Sequence, residues 1–242
     1  MIVLHCRWSI KTDEEIKMKD YSVFDILGPI MIGPSSSHTA GAARLGKVAA
    51  VIAGKNIRSV RFVLHGSFAK TYKGHGTDRA LIAGILGMDP WDDRLKDSIS
   101  IAKERGLGIK FEFEDLGDVH PNTVKFIITK KSEREVEIIG SSVGGGNILI
   151  FEVDGEPVEF TGKNPTIIIG HKDTPGMISK VSTILYNMDI NIALMKVYRN
   201  SRGLKAVMVF ETDTIVPDNV LDKIKIMPNI YNIREITPVP QS

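Results

Sequence analysis

Four hydroxyls and an imidazole occupy five consecutive residues, Ser35, Ser36, Ser37, His38 and Thr39, directly after the pair Gly33-Pro34. Hydroxyls hold carboxylates by hydrogen bonding, and a histidine titrating near neutral pH can carry a proton. From Thr39 onward the residues favour helix, with Leu45, Val48, Ala49 and Ile52 recurring on one face until Gly54 supplies a stop. The cluster therefore sits at a helix N-terminus, where free backbone N–H groups and the helix dipole attract an anion. A plain N-cap needs only one such hydroxyl, so a cap and an anion site both remain open readings. A second cluster, Lys73-Gly74-His75-Gly76-Thr77-Asp78, gathers a cation, a histidine, a hydroxyl and a carboxylate on a glycine-rich loop. It also precedes a helix, Arg79 to Leu86, which Thr77 or Asp78 is expected to cap.

Other chemistries are poorly served. Ser36 and His38 lie too close on one turn to align nucleophile, base and orienting acid, and neither a nucleophile elbow nor a Walker loop is present. The one cysteine, Cys6, reads as a buried or incidental thiol. It cannot hold an iron–sulfur cluster, and there is no HExxH or paired-histidine pattern, so no metal ligands are assigned to this chain. His5, His65, His120 and His171 read as surface or structural residues. A formal net charge of +2 with scattered basic residues lacks the cationic stripe of a nucleic-acid surface. The longest apolar runs are strand-sized, so no membrane segment is expected. A lone cysteine and an N-terminus unlike a signal peptide point to the cytoplasm.

The elements that must position these residues fall into two parts. Residues 1–18 read as an extension and 19–161 as a domain in which helices precede an antiparallel sheet. Val60 to Leu64 is strand-like, Trp91 to Glu104 reads as one helix ending at Gly106, and strands follow from Ile109 to Phe160. Asp154-Gly155 signals a hairpin, and Gly144-Gly145-Gly146 a bulge or close backbone approach. Thr161 to Pro165 is a linker. Residues 165–237 then read βαββαβ, with strands 166–170, 190–199, 204–212 and 229–236 and helices 175–188 and 217–226, a ferredoxin-like arrangement. In the first of these helices Ile178, Val181, Leu185 and Met188 share a face and are expected in the core. The fold class is thus α+β. The βα turn Gly170 to Met177 starts its helix at Pro175-Gly176 and can hold a carboxylate, and Asn191-Ile192 could complete a pocket between two such domains.

The stretch Tyr21 to Arg44, YSVFDILGPIMIGPSSSHTAGAAR, resembles the opening of the β chain of bacterial iron–sulfur L-serine dehydratases. His65 to Asp78 (HGSFAKTYKGHGTD), His120-Pro121-Asn122 and Ser142 to Gly146 match further, and the last domain is similar to the family's ACT domain. The resemblance implies a lyase converting L-serine to pyruvate and ammonia, with a [4Fe-4S] cluster held by cysteines of a separate α subunit and none bound by this chain alone. It implies catalytic roles for His38, His75, Thr77 and Asp78 and substrate binding by Ser35, Ser36, Ser37 and Thr39, with one of the two histidines moving the α-proton. It further implies effector binding at Asp173, Gly176, Met177, Asn191 and Ile192, and self-association through ACT domains. Two competitors remain. One is a non-catalytic ACT regulatory module that docks on another enzyme; the other is a free-standing hydrolase built on Ser36 and His38.

Overall fold

The computed structural model describes residues 30–199 and 202–239, so expectations for Cys6, His5 and the extension lie outside the described residues. A π-helical turn, Ser36–Gly41, runs into helix α1, Ala42–Ala53. Strand β1, Ile57–Leu64, is followed by helices α2, Gly66–Thr71, and α3, Thr77–Ile85. A 3-10 turn, Asp93–Asp97, and helix α4, Ser98–Glu104, replace the single helix expected from Trp91. The Asp92 side chain caps the 3-10 turn by accepting from the Arg94 N–H at 3.0 Å, so the chain changes pitch there. Five strands follow: β2 Gly108–Phe113, β3 Thr123–Lys130, β4 Glu135–Gly144, β5 Asn147–Val153 and β6 Glu156–Phe160.

These strands form one sheet in the order β2-β1-β3-β4-β5-β6. It is mixed rather than antiparallel, because β2 runs parallel to β1 at the edge. The α2 to α4 segment between them supplies the long crossover that a parallel pair requires. Phe111 of β2 stacks on Phe62 of β1 with ring centroids 4.8 Å apart. The expected hairpin joins β5 and β6, with Asp154 and Gly155 both at positive φ, as a type I′ turn demands. The glycine triplet turns β4 into β5, and the register shifts between Ser142 and Gly144.

Beyond Phe160 come β7 Thr166–Lys172, α5 Met177–Tyr186, β8 Ile192–Arg199, β9 Lys205–Thr212, α6 Asp218–Lys225 and β10 Ile230–Ile236. Their sheet has the order β10-β7-β9-β8, antiparallel throughout, which is the ferredoxin-like arrangement read from the sequence. Side chains alternate across it. Ile167, Ile169, Met208 and Phe210 pack under α5 and α6, while Ile168, Val207 and Val209 join the core of the first sheet. This double burial explains why β7 reads as an unbroken apolar run. The buried stripe of α5 is Met177, Val181 and Leu185. Ile178 and Met188, expected in the core, are 41% and 37% exposed: the helix starts at Met177, and the i, i+4, i+8 row from that residue meets the sheet.

Candidate active site

Two helices bring the two polar clusters together. In α1, a Cβ on Gly46 would lie 2.4 Å from the Leu81 carbonyl oxygen; in α3, one on Gly84 would lie 2.1 Å from the Ala43 oxygen. Only glycine at both positions lets the backbones touch. The crossing lies about three helical turns after Ser36 and about two after Thr77, so the turns that begin each helix are held near each other.

On the first turn Ser35 is the N-cap, its Oγ accepting from the His38 backbone N–H at 3.1 Å. The turn is π-helical where regular helix was expected, and two close contacts shape it. A Cβ on Gly33, at φ 138°, would lie 2.6 Å from Thr39 Cγ2, and one on Gly41 would lie 2.0 Å from Ser142 Oγ. Ser142, in β4, donates its hydroxyl to the Ser37 carbonyl at 2.9 Å. The hydroxyls of Ser36 and Ser37 have no protein partner among the described residues, whereas Thr39 is buried and donates to the His75 carbonyl at 3.3 Å.

The His38 and His75 rings meet edge to face, their centroids 4.8 Å apart, and Phe68 closes on His38 at 5.3 Å. His38 Nδ1 lies 3.3 Å from Ser35 Oγ and Nε2 lies 3.1 Å from Ser67 Oγ. A neutral imidazole donates from one nitrogen and accepts at the other, and a hydroxyl satisfies either role. Burial, and secondarily the nearby His75, hold the His38 pKa below its ordinary 6.5, so the ring is a neutral acceptor at neutral pH.

The second cluster corrects one expectation. Gly76, in the left-handed conformation at φ 69°, occupies the cap position of α3, and neither Thr77 nor Asp78 caps it. Thr77 is fully buried, and its hydroxyl has no hydrogen-bond partner among the described residues. Asp78 accepts from the adjacent Arg79 N–H at 2.8 Å. A hollow of about 260 Å³ beside Thr39 and His75 is lined by three cations, Lys73, Arg79 and Lys96.

Sequence reasoning missed Ser67, Phe68, Asn122 and Ser142 as contributors. Ser67 and Phe68 lie on the short helix α2, and the signal was Gly66: its φ is 56° and its Cβ would lie 2.7 Å from the Pro121 oxygen. That contact seats the His120-Pro121-Asn122 loop against α2, where Ser67 N–H donates to Pro121 at 2.8 Å. Asn122 accepts from the Ser142 N–H through its backbone oxygen, and its buried side-chain oxygen has no partner among the described residues. His65 Nδ1 accepts from the Leu116 N–H at 3.1 Å and lies 3.5 Å from Asp115 Oδ1. No group of three His, Cys, Asp or Glu suited to a metal ion occurs among the described residues. None of the described helices is long and apolar enough to cross a membrane.

The residues assigned to an effector do not converge within one chain. Asp173, Gly176 and Met177 line one hollow, where Asp173 pairs with Arg199 at 3.2 Å. Asn191 and Ile192 line another, with Asn191 donating to Asp213 at 2.7 Å. Met177 is only 2% exposed and packs in the second core. His171 is also buried, its Nδ1 2.8 Å from the Lys172 oxygen.

Residues 22–104 match the family described as serine dehydratase beta chain, and residues 165–229 match the ACT domain. The chain is 45% identical over 219 residues to the probable L-serine dehydratase, beta chain, of Bacillus subtilis (strain 168), covering 90% of this chain and 99% of that one. It is 46% identical to the L-serine dehydratase, beta chain, of Peptoniphilus asaccharolyticus, covering 81% and 89%. A D-3-phosphoglycerate dehydrogenase of Methanocaldococcus jannaschii is 30% identical over 81% of this chain but only 37% of its own length. Among solved structures, the ACT domain from GTP pyrophosphokinase of Chlorobium tepidum covers 31% of this chain at 14% identity and a TM-score of 0.26.

Proposed function

Because the chain belongs to the serine dehydratase β-chain family and carries an ACT domain, we propose that it is the β subunit of an L-serine dehydratase, acting with a separate α subunit. The observation that carries this reading is the meeting of His38 and His75 across two helix starts, beside the Ser36 and Ser37 hydroxyls, which no other group among the described residues uses.

The reaction removes the α-proton and the 3-hydroxyl of L-serine, and the resulting enamine hydrolyses to pyruvate and ammonia. One cysteine is too few to hold a [4Fe-4S] cluster, so the cluster is assigned to the α subunit. Such a cluster, when bound, supplies a Lewis acid for the departing hydroxyl. This chain's residues hold the substrate and move its proton. The free N–H groups at the π-helical turn, with Ser36 and Ser37, receive the carboxylate, and Lys73, Arg79 and Lys96 draw the anion toward the turn. Thr39 fixes the His75 loop through its bond to the His75 carbonyl. Neutral His38 or its partner His75 accepts the α-proton; Ser35 and Ser67 orient the His38 ring. Asp78, at the start of α3 beside the His75 loop, is assigned to the substrate's polar groups, whereas Thr77 is fully buried and can act only by supporting the start of α3 from beneath.

In the second sheet β8 is an edge strand, and Leu194, Met195 and Val197 on it are exposed. Self-association along this edge would cover them and set Asp173 of one copy near Asn191 of another, completing an amino-acid pocket. The competing regulatory-module reading draws on the similarity to a dehydrogenase of different name over both parts of the chain. Anaerobic co-expression with the cysteine-bearing α chain separates the two. Pyruvate formed from L-serine only when both chains are present supports the subunit reading, and full activity of the α chain alone contradicts it.

A further inference from the structure

A second cavity lies away from the histidines, between the two sheets, with a volume of about 280 Å³. Its floor is apolar: Ile52 and Ala53 from the end of α1, Val136 and Val153 from the first sheet, Ile168 and Val207 from the second. Its rim is charged. Arg234 pairs with Asp154 at 2.8 Å, and Lys205 pairs with Glu156, so two ion pairs tie the sheets together across the cavity and fix its walls. Those pairs consume both carboxylates of the lining. Lys130 and Arg134, which flank the β3–β4 turn with the Lys130 N–H donating to the Arg134 carbonyl at 2.9 Å, have no acidic partner among the described residues. Asn232, whose Oδ1 accepts from the Gly170 N–H at 3.0 Å, presents its amide on the opposite wall.

We propose that this inter-sheet cavity is a binding site for a small dianionic metabolite, a phosphorylated or dicarboxylic compound of three or four carbons. Two uncompensated cations over an apolar floor attract negative charge, and a low-dielectric wall strengthens that attraction. The volume sits just below the usual range for ligand pockets, which limits the occupant to a compact molecule. The two sheets supply opposite walls, so an occupant holds them together and stabilises the folded chain in proportion to its occupancy.

The test is thermal unfolding of the purified full chain in increasing sodium phosphate or sodium succinate, with sodium chloride holding the ionic strength constant. The midpoint should rise and saturate with at least one dianion. Phosphate alone would identify a phosphorylated ligand, and succinate, alone or together with phosphate, would admit a dicarboxylate. The double variant Lys130→Gln/Arg134→Gln should bind at least about tenfold more weakly, a loss of about 1.4 kcal/mol per factor of ten. The control Lys103→Gln/Arg105→Gln, at the exposed end of α4, should behave as wild type. Should the double variant not fold, Arg134→Gln alone, at an exposed turn position, should weaken binding several-fold. A midpoint that tracks ionic strength alone overturns the proposal, as does a saturable rise that survives loss of both cations.

Discussion

Replacing Gly84 by alanine separates two opposed expectations. By helix propensity alone, alanine for glycine inside α3 stabilises the protein by about 1 kcal/mol. The structure reverses that sign. The new Cβ would stand 2.1 Å from the Ala43 oxygen, 2.6 Å from the Lys47 nitrogen and 2.8 Å from the Gly46 Cα. All three neighbours are backbone atoms and cannot rotate away, so α1 and α3 must separate by roughly 1 Å or more to reach ordinary contact. Overpacking of this kind costs about 1–3 kcal/mol, and contact with backbone argues for the upper part of that range, leaving a net destabilisation of about 1–2 kcal/mol. The same displacement moves the His75 loop away from His38. A misplacement of about 1 Å costs on the order of a hundredfold in turnover. Urea unfolding of the purified chain reads the first quantity, and pyruvate formation by the assembled enzyme reads the second. A Gly84→Ala protein that is more stable than wild type and fully active would refute the account of how the site is assembled.

The His38 resonance, followed by NMR, should titrate below 6.5; in His75→Gln the value should move up yet stay below 6.5, because burial is the larger cause. Since the unfolded chain binds the proton first, stability falls as the pH drops from 6.5 through the lowered folded value, and His38→Gln should flatten that slope in urea titrations. Ser67→Ala should lower kcat several-fold with little change in KM, by freeing the His38 ring. Met177→Ala should cost about 2–5 kcal/mol, whereas Met188→Gln should lie within about 0.5 kcal/mol of wild type, as equilibrium unfolding will show. Buried Arg44 donates to the Gly146 carbonyl at 2.6 Å and the Val239 carbonyl at 3.3 Å, so Arg44→Met should destabilise by at least about 2 kcal/mol in the same assay.

Much of the site was legible because its signals are local. Ser35 caps its own turn, and a hydroxyl run ahead of an apolar-periodic helix states where the N–H groups are free. The ferredoxin-like order followed from alternating apolar runs separated by turn residues. What stayed hidden depends on distant contacts. Gly46 and Gly84 look like weak points in two helices until each is seen against the other's backbone. Ser67 lies on a helix of only six residues that opens with a left-handed glycine and carries little helical period, and its link to His38 spans 29 positions. The parallel pairing of β2 leaves no mark on its alternation, which looks alike in either direction. In α5 Val181 and Leu185 are buried as read, and only the first member of the stripe moves, from Ile178 to Met177, because both are apolar and only the sheet decides which faces inward.

The central claim is that this chain lends catalytic groups at the meeting of its two histidine loops. Its most direct test compares pyruvate formation from L-serine by the anaerobically assembled α and β chains for wild type, His38→Ala and His75→Ala, with folding checked by circular dichroism. The account predicts that at least one substitution, in a folded and assembled protein, abolishes turnover. Two folded variants that both retain wild-type activity would contradict it and leave this chain a regulatory module.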